Sequence, residues 1–580
     1  MTKDSLSQVL YVDVSKKDFY TRDRSDLFDQ YMGGSGVAIQ LLSEECTKNA
    51  EPFSPDNPIV FAVGPLTGLF PLASKVVAMF KSPLTGNLGE SHAGGRSAIA
   101  LRSSGLGALV IKGVSSTPIY LSIRNGEVHF NDASALWGME SIYTVGRVLR
   151  ENEPGSGMRT IMRIGKAGEQ CINYAGLTTE TYRHFGRLGL GAIFGSKKLK
   201  ALIISGQNSI PVTDKKRYRN IYDEIYTHAT QSELMKKYHD LGTAVNVKSL
   251  SEIKGLPIKN LQTSTFQEAE HITGETLASQ YLGRRIACAH CPVACIHIAA
   301  LRVPYEREKY FYKTTMIPYD YELIYALGSM LGIGDPEGML KLIEQVEAYG
   351  VDAMSMGVCL AYATELFQKG MISEKETLGI SLQWGDWTSY IHALRNVMAR
   401  NNEFYDTLAK GVQQASSVYG GKAFALSFGG NEMPGYTTGP GAYVGYLIGA
   451  RHSHLDNAGY SVDQKQGTLL PQQLIETLIS EEEWRQILSS LVVCFFARGI
   501  YSPEVVQKCL ICAGMERDAD ALSFLGKTIL QEKFAFKKRE GFSFDTLNIP
   551  QRILDIETPQ GKISREYLEE CIHEAAEYYR

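Results

Sequence analysis

Long apolar runs are missing from this chain. The longest, such as Leu491 to Ala497, fall far short of the ~18 consecutive residues that a membrane-spanning helix requires, so no membrane span is expected. A surplus of one charge is also missing. Lysine and arginine number 59 against 63 acidic residues, a net of −4, which gives no support to nucleic acid or another polyanion as partner. Internal repeats and low-complexity tracts are not evident, and 44% hydrophobic with 21% charged residues excludes disordered and fibrous classes. Met1-Thr2-Lys3-Asp4-Ser5 leads directly into a strand-like Val9-Leu10-Tyr11-Val12 without the pattern of a secretion signal, so the expected compartment is the cytoplasm. Ten cysteines in 580 residues are too few for a disulfide scaffold, so their positions matter more than their number.

Glycine is the residue in excess, and 25 of the 55 lie in the first 210 positions. That region carries short apolar runs ended by turns, Pro58 to Val63, Ala108 to Ile111 and Ile119 to Ile123, which read as strands because branched and aromatic side chains suit a pleated surface. From about Lys215 the period becomes helical. Asp335-Pro336-Glu337 opens a helix, Met339, Leu340, Ile343 and Val346 form its apolar stripe, and Gly350 stops it. Similar patterns occupy 216–240, 386–400, 404–418, 482–498 and 517–532. The expected fold is α+β and multi-domain: an N-terminal β domain over 1–210, a helical domain over 211–418, and a second mainly helical domain over 419–580.

The sharpest local feature is Cys288-Ala-His-Cys291-Pro-Val-Ala-Cys295. Three thiolates at this spacing can converge on one soft metal centre and need a fourth ligand to complete a four-iron cluster. Zinc is the competing reading, with His290 and His297 as nitrogen ligands. Spacing does not choose the fourth ligand between Cys494 and the Cys509/Cys512 pair. Two glycine-rich segments, Lys81 to Gly95 and Phe185 to Lys197, suit close approach of backbone N–H groups to an anionic cofactor, or equally tight turns within a β domain.

In combination these segments carry a resemblance. With Gly33-Gly34-Ser35-Gly36, Phe61 to Gly68, Ile164 to Glu169, Tyr321-Glu322 to Gly328 and Gly350-Val351-Asp352, the chain resembles the tungsten-containing aldehyde:ferredoxin oxidoreductase family over nearly its whole length. The resemblance implies a β base domain closed by two helical domains, with the cofactor at their interface. That cofactor is a tungsten, or molybdenum, bis-pterin beside one [4Fe–4S] cluster, with Mg2+ as a candidate bridge between pterin phosphates. It makes Cys288, Cys291, Cys295 and Cys494 the cluster ligands. Cofactor contacts carry over to Lys75, His92, Gly94, Gly95, Arg187, Gly189, Gly191, Glu347, Gly350, Val351, Asp352 and Val493.

Three positions depart from the family pattern. Lys75 stands where an arginine is expected and His92 where an asparagine is expected. The second pterin motif reads Ser489-Ser-Leu-Val492-Val493-Cys494, without the acid and glycine of Glu347-Ala-Tyr-Gly350-Val351-Asp352. For proton chemistry the resemblance points to Glu322 and His454, a carboxylate and an imidazole of the types that carbonyl addition requires. The implied activity is oxidation of an aldehyde to a carboxylic acid, with electrons leaving to ferredoxin or a small iron–sulfur subunit. Reduction of an aryl-coenzyme A of the benzoyl type is the alternative within the family, and a zinc-stabilised binding protein with a decayed pterin site the alternative outside it. Homo-oligomerisation is compatible with the sequence but not legible in it.

Overall fold

A computed structural model describes residues 5–155, 158–212, 214–305 and 308–580; residues 1–4, at the start of the segment examined for a secretion signal, lie outside these. The glycine-punctuated first third forms two six-stranded sheets. The first contains β1 (Gln8–Asp13), β2 (Asp18–Asp23), β3 (Ile59–Ala62), β4 (Val76–Lys81), β5 (Leu88–Ala93) and β6 (Ala108–Lys112), in the order β2-β1-β6-β3-β4-β5. The second contains β7 (Ile119–Arg124), β8 (Glu127–Asp132), β9 (Met158–Arg163), β10 (Leu177–Thr179), β11 (Arg183–Phe185) and β12 (Leu199–Gly206), in the order β8-β7-β12-β9-β10-β11.

These two orders are one plan repeated. In each sheet the first and sixth strands run parallel and every other neighbouring pair is antiparallel. Helices also recur at matching places: Gly34–Glu45 and Ile142–Asn152 precede the third strands, and Ser97–Ser103 and Leu190–Ser196 precede the sixth. The base is therefore an internal duplication that the sequence does not display. Pairing and burial preserve a topology through side-chain replacement, because a strand position demands an apolar inward face rather than a particular residue. The fifth strands of the two sheets, β5 and β11, lie against each other.

The remainder is mainly helical, which agrees with the α+β reading. Pro336–Tyr349 forms as its signals dictate, with Asp335 accepting a hydrogen bond from Glu337 N–H and Gly350 left-handed at its end. Three expected helices are altered by local chemistry. The 216–240 pattern breaks into Lys215–Gln231 and Glu233–Leu241, because the Ser232 side chain caps the second. The 404–418 pattern divides at Gly411, whose φ is +100°. The 482–498 pattern is instead the end of a longer helix, Pro471–Ser490, stopped by a left-handed Val492 at φ +57°.

Two large apolar cores result. The first sheet shares one with Ile221 and Ile225 and with Ile487, Leu510 and Ile529 from the far end of the chain. Residues from 244 to 479 and the last helix, Arg565–Tyr578, build the other, into which Ile172 and Tyr174 of the second sheet's half pack. A third sheet, β13 (Leu282–Ile286), β14 (Ile296–Tyr305) and β15 (Glu308–Tyr319), is antiparallel throughout.

Glycine lets the helical part touch the base. A Cβ on Gly64, just after β3, would press into the carbonyl oxygen of Ser490 at the end of Pro471–Ser490; one on Gly165, just after β9, would press into that of Tyr349. Gly64→Ala is expected to destabilise by about 1–3 kcal/mol through overpacking. Gly499→Ala, which meets no atom within 4 Å, is expected to stay within about 0.5 kcal/mol of the parent. Chemical denaturation midpoints check both.

Candidate active site

The duplicated base presents two cradles to the helical part, and each is closed by the same pair of backbone hydrogen bonds. Beside the second sheet, Gly176 N–H donates to Gly350 O at 2.9 Å and Asp352 N–H donates back to Tyr174 O at 3.0 Å. Beside the first, Lys75 N–H donates to Val492 O at 3.1 Å and Cys494 N–H donates to Leu72 O at 2.9 Å. Asp352 and Cys494 therefore occupy equivalent places. The helix ends match too: Val351 N–H bonds Val346 O, Val493 N–H bonds Leu488 O, and the residue before each is left-handed. The altered second motif thus keeps its backbone. Val492 does so at a cost of roughly 1–2 kcal/mol, because a β-branched residue in this region crowds its own carbonyl.

Between the cradles lies a cavity of about 370 Å3. It is lined by Lys75, His92, Arg187, Glu347, Gly350, Val351, Asp352 and Val493, by Glu322 and His454, and by all four proposed cluster cysteines. Gly94 sits at its edge, where a Cβ would come within 2.6 Å of Cys288 Sγ, and Gly95 packs on Glu180 and Arg183 with φ +101°. Gly189 and Gly191 do not reach the cavity. They are packing glycines, since a Cβ on Gly189 would enter Asn173 O and one on Gly191 would enter Gly176 O.

The cysteine loop connects β13 to β14, and Leu72 joins it to Cys494: its N–H donates to His290 O at 2.9 Å while its carbonyl accepts from Cys494 N–H. Leu72, His290, Ala294 and Val492 all have φ between 53° and 67°, a concentration of strained backbone around the four thiols. Burial first, and then neighbouring cysteines, push the Cys291 and Cys295 thiols up to about 12. Four thiolates here therefore need a bound positive group to coexist. Both ring nitrogens of His297 face backbone carbonyls, of Cys295 at 3.2 Å and His239 at 3.1 Å, so its ring is engaged away from the thiols. Among the described residues no three His, Cys, Asp or Glu side chains, the four cysteines included, stand close enough to share one ion as they are. Cys509 and Cys512 are buried on the helix Pro503–Cys512 in the core of the first sheet and do not line the cavity.

Charges converge on the same space. Arg187 donates through Nε to Asp352 at 3.1 Å and through Nη2 to Glu432 O at 2.7 Å, which leaves Nη1 unpartnered. His184 Nε2 approaches Glu347 Oε2 to 2.8 Å, but off the hydrogen-bonding direction. Burial pushes His92 down to about 4, so it is neutral and donates from Nε2 to Glu90 Oε1 at 2.7 Å. Burial also opposes the charge on Glu90, but Lys533 at 2.6 Å and Arg451 outweigh it and hold the carboxylate ionised. Glu90 lies within the glycine-rich Lys81–Gly95 segment, Arg183 two residues before the second such segment and Arg451 three residues before His454, whereas Lys533 comes from a distant helix, Ala519–Arg539, that carries no motif. Among the described residues, eight of seventeen buried side-chain atoms lacking a partner belong to residues of this one cavity, including Arg183 Nε, Glu322 Oε2 and His454 Nδ1. Such a concentration leaves both kinds of partner open to a polar ligand: Arg183 Nε and Arg187 Nη1 can donate to anionic groups, while Glu322 Oε2, Glu347 Oε2 and Asn431 Oδ1 can accept from its donors.

Glu322 and His454 form the cavity's titratable pair, with Nε2 of His454 3.2 Å from Oε1 of Glu322. Asp320 caps the helix Tyr321–Leu327 and so fixes Glu322 in its first turn; Ser453 and Asp456 form a capping box around His454. Burial, reinforced by Asp320, raises Glu322 to about 8. Burial and then Arg187, Arg451 and Arg485 hold His454 well below its ordinary value.

A duplicated β base, helices docked on its glycines and a polar cavity lined by four cysteines and a carboxylate–imidazole pair have the make-up of an enzyme site. The chain belongs to the aldehyde ferredoxin oxidoreductase family: it matches "Aldehyde ferredoxin oxidoreductase, N-terminal domain" over residues 9–206 and "Aldehyde ferredoxin oxidoreductase, domains 2 & 3" over residues 218–580. It is 29% identical over 557 residues to a tungsten-containing aldehyde ferredoxin oxidoreductase of Pyrococcus furiosus, covering 92% of this chain and 89% of that one. It is also 29% identical over 427 residues to the WOR-like subunit of an aliphatic sulfonate oxidoreductase of the same organism, covering 70% of this chain and 66% of the other. Among solved structures, the BamBC active-site complex of a benzoyl coenzyme A reductase shares the fold at TM-score 0.80 and 20% identity, over 99% of this chain and 94% of that one.

Gly350→Ala is expected to lower stability by about 1–2 kcal/mol, because the new Cβ enters a left-handed backbone and meets Gly165 N at 3.2 Å. Urea unfolding of the purified protein measures it.

Proposed function

We propose that this protein oxidises an aldehyde to a carboxylic acid, consuming water, releasing two protons and passing two electrons to ferredoxin or a small iron–sulfur subunit. The carrying observation is the Glu322–His454 pair, which faces the same cavity as Cys288, Cys291, Cys295, Cys494 and the two cradles. The family resemblance and the concentration of unpartnered polar atoms support a tungsten, or molybdenum, bis-pterin in that cavity. When bound, the metal–pterin group supplies the two-electron sink. Lys75, His92, Gly94, Gly95 and Val493 would hold the half nearer the first sheet, and Arg187, Glu347, Gly350, Val351 and Asp352 the other half. Mg2+ is the cation proposed to bridge the phosphates. Cys288, Cys291, Cys295 and Cys494 would hold one [4Fe–4S] cluster.

The chain's own residues manage the protons. A base whose pKa lies near the working pH is both adequately populated and adequately strong, and a Glu322 raised to about 8 meets that condition. In its carboxylate form Glu322 has Oε1 3.2 Å from His454 Nε2, off the hydrogen-bonding direction, and Oε2 unpartnered, the oxygen that would take a proton from water as it adds to the carbonyl. His454 stays neutral and orients the carboxylate. Burial of both groups keeps bulk water from levelling their basicity.

Reduction of an aryl-coenzyme A is the competing reading, and the 20% identity to the benzoyl coenzyme A reductase complex extends to fold alone. A panel of aldehydes with a viologen acceptor decides: no turnover by metallated enzyme, alongside activity on an aryl-coenzyme A, would reverse the assignment. Glu322 should be protonated below about 8 and ionised above, so kcat/KM for aldehyde should rise as pH climbs through that value. Glu322→Gln should lose about 10²–10⁴-fold in kcat and abolish that limb, with metal content unchanged. Cys494→Ala should remove the cluster signal from electron paramagnetic resonance, and Cys509→Ala should leave it intact.

A further inference from the structure

The duplication sets two histidines in equivalent places. Lys75 and Gly176 make matching cradle bonds, and the strands that follow stay in step: Val77 of β4 pairs with His92 of β5, and Thr178 of β10 pairs with His184 of β11. Both imidazoles line the cavity, and each brings Nε2 to a carboxylate. The carboxylates have different origins. Glu347, on the helix end that closes the second cradle, lies 2.8 Å from His184. Its counterpart on the other helix end, counted back from Val492 as Glu347 is from Gly350, is Ser489, which does not line the cavity. His92 meets Glu90 of its own strand instead, at 2.7 Å.

Both oxygens of Glu90 are committed. Oε1 accepts from Ser35 Oγ at 2.8 Å and from His92, and Oε2 accepts from Lys533 Nζ at 2.6 Å. Lys533 also donates to Gln486 Oε1, one turn before Ser489 in the helix Pro471–Ser490. Glu90, Lys533 and Gln486 are all buried, so removing either charge alone would strand the other where water cannot reach it. Ionised Glu90 can only accept, so Nε2 of the neutral His92 carries the proton and Nδ1 carries a lone pair. Nδ1 has no hydrogen-bond partner among the described residues. Beside the equivalent strand position in the other half, the unpartnered acceptor is Glu347 Oε2. Each half of the cavity thus offers one acceptor, a carboxylate oxygen in one and a neutral nitrogen in the other.

We propose that Glu90 and Lys533 are positioning residues that fix His92 as the acceptor for the cofactor's N–H donors in the half where the motif acid is lost. The proposal rests on the reading of the cavity as a bis-pterin site. A pterin carries amino and ring N–H donors along its pyrimidine edge, and a site that binds it needs acceptors there. Moving the carboxylate from the helix end to the strand changes its task. Its oxygens no longer meet the ligand and instead set which nitrogen of an imidazole does.

The test uses the oxidised, metallated protein with 15N-labelled histidine, and follows His92 through the ring resonances that His92→Asn removes. In the parent these should report an Nε2–H tautomer that stays neutral from about pH 8 down to about pH 6. Glu90→Met with Lys533→Met removes the ion pair as a unit and keeps a similar volume. In this double variant the resonances should shift to a mixture of tautomers. Cofactor affinity should fall roughly tenfold or more, read as pterin retained per chain through dialysis. Adding Ser489→Glu places a carboxylate where Glu347 stands in the other half, and should restore retention. An unchanged tautomer or unchanged retention in the double variant would overturn the proposal. So would a loss that Ser489→Glu does not repair, because the pair would then serve packing alone. A parent that retains pterin but oxidises no aldehyde would sink the proposed function and leave this inference standing on the same measurements.

Discussion

The site depends on how two helices end. Pro336–Tyr349 and Pro471–Ser490 each finish in a left-handed residue, and each then exchanges a reciprocal pair of backbone hydrogen bonds with one half of the β base. Those four bonds set Asp352 and Cys494 in equivalent positions and define the cavity between them. Backbone hydrogen bonds are indifferent to side chains. That indifference is why the second cradle survives with Val492 where the first has Gly350, and with Ser489 where the first has Glu347. The strained backbone at Val492 is held because buried packing on every side over-determines it.

The same constraint explains the glycine excess. Gly33, Gly34 and Gly64 are spaces into which the end of Pro471–Ser490 fits, and Gly165 receives the end of Pro336–Tyr349. Gly189 and Gly191 serve packing inside the base. A glycine-rich loop can admit a phosphate or another backbone, and the sequence carries no sign of which. Only the surrounding contacts discriminate.

Electrostatics divide the cavity by function. Near the cradles, Arg187 Nη1 and Arg183 Nε are unpartnered donors and Glu347 Oε2 an unpartnered acceptor. Near the thiols, burial raises Cys291 and Cys295 to about 12, so only a bound positive group would hold them as thiolates. Between these regions, burial raises Glu322 to about 8 and holds His454 neutral, so Glu322 is the member of the pair that titrates just above neutral pH. The chain's near-zero net charge conceals this, because paired charges inside cancel in the sum.

Local chemistry made part of this protein legible. Asp335, Pro336 and Gly350 delimit a helix by capping and steric rules that act within one turn, and the run from Cys288 to Cys295 stands out by spacing as a candidate metal loop. Family resemblance points to Cys494 rather than Cys509 or Cys512, and Cys494 lines the cavity with Cys288, Cys291 and Cys295 while the other two do not. The duplicated base, the equivalence of Asp352 and Cys494, and the buried Glu90–Lys533 pair were decided only by tertiary structure. These join residues tens to hundreds of positions apart, and the backbone pairing that joins them leaves no residue signature. The sequence by itself determined which groups can do chemistry, since that follows from side-chain type and near neighbours. The fold determined which of them meet, how deeply they are buried and therefore what their protons do, because dielectric and distance belong to the packed chain.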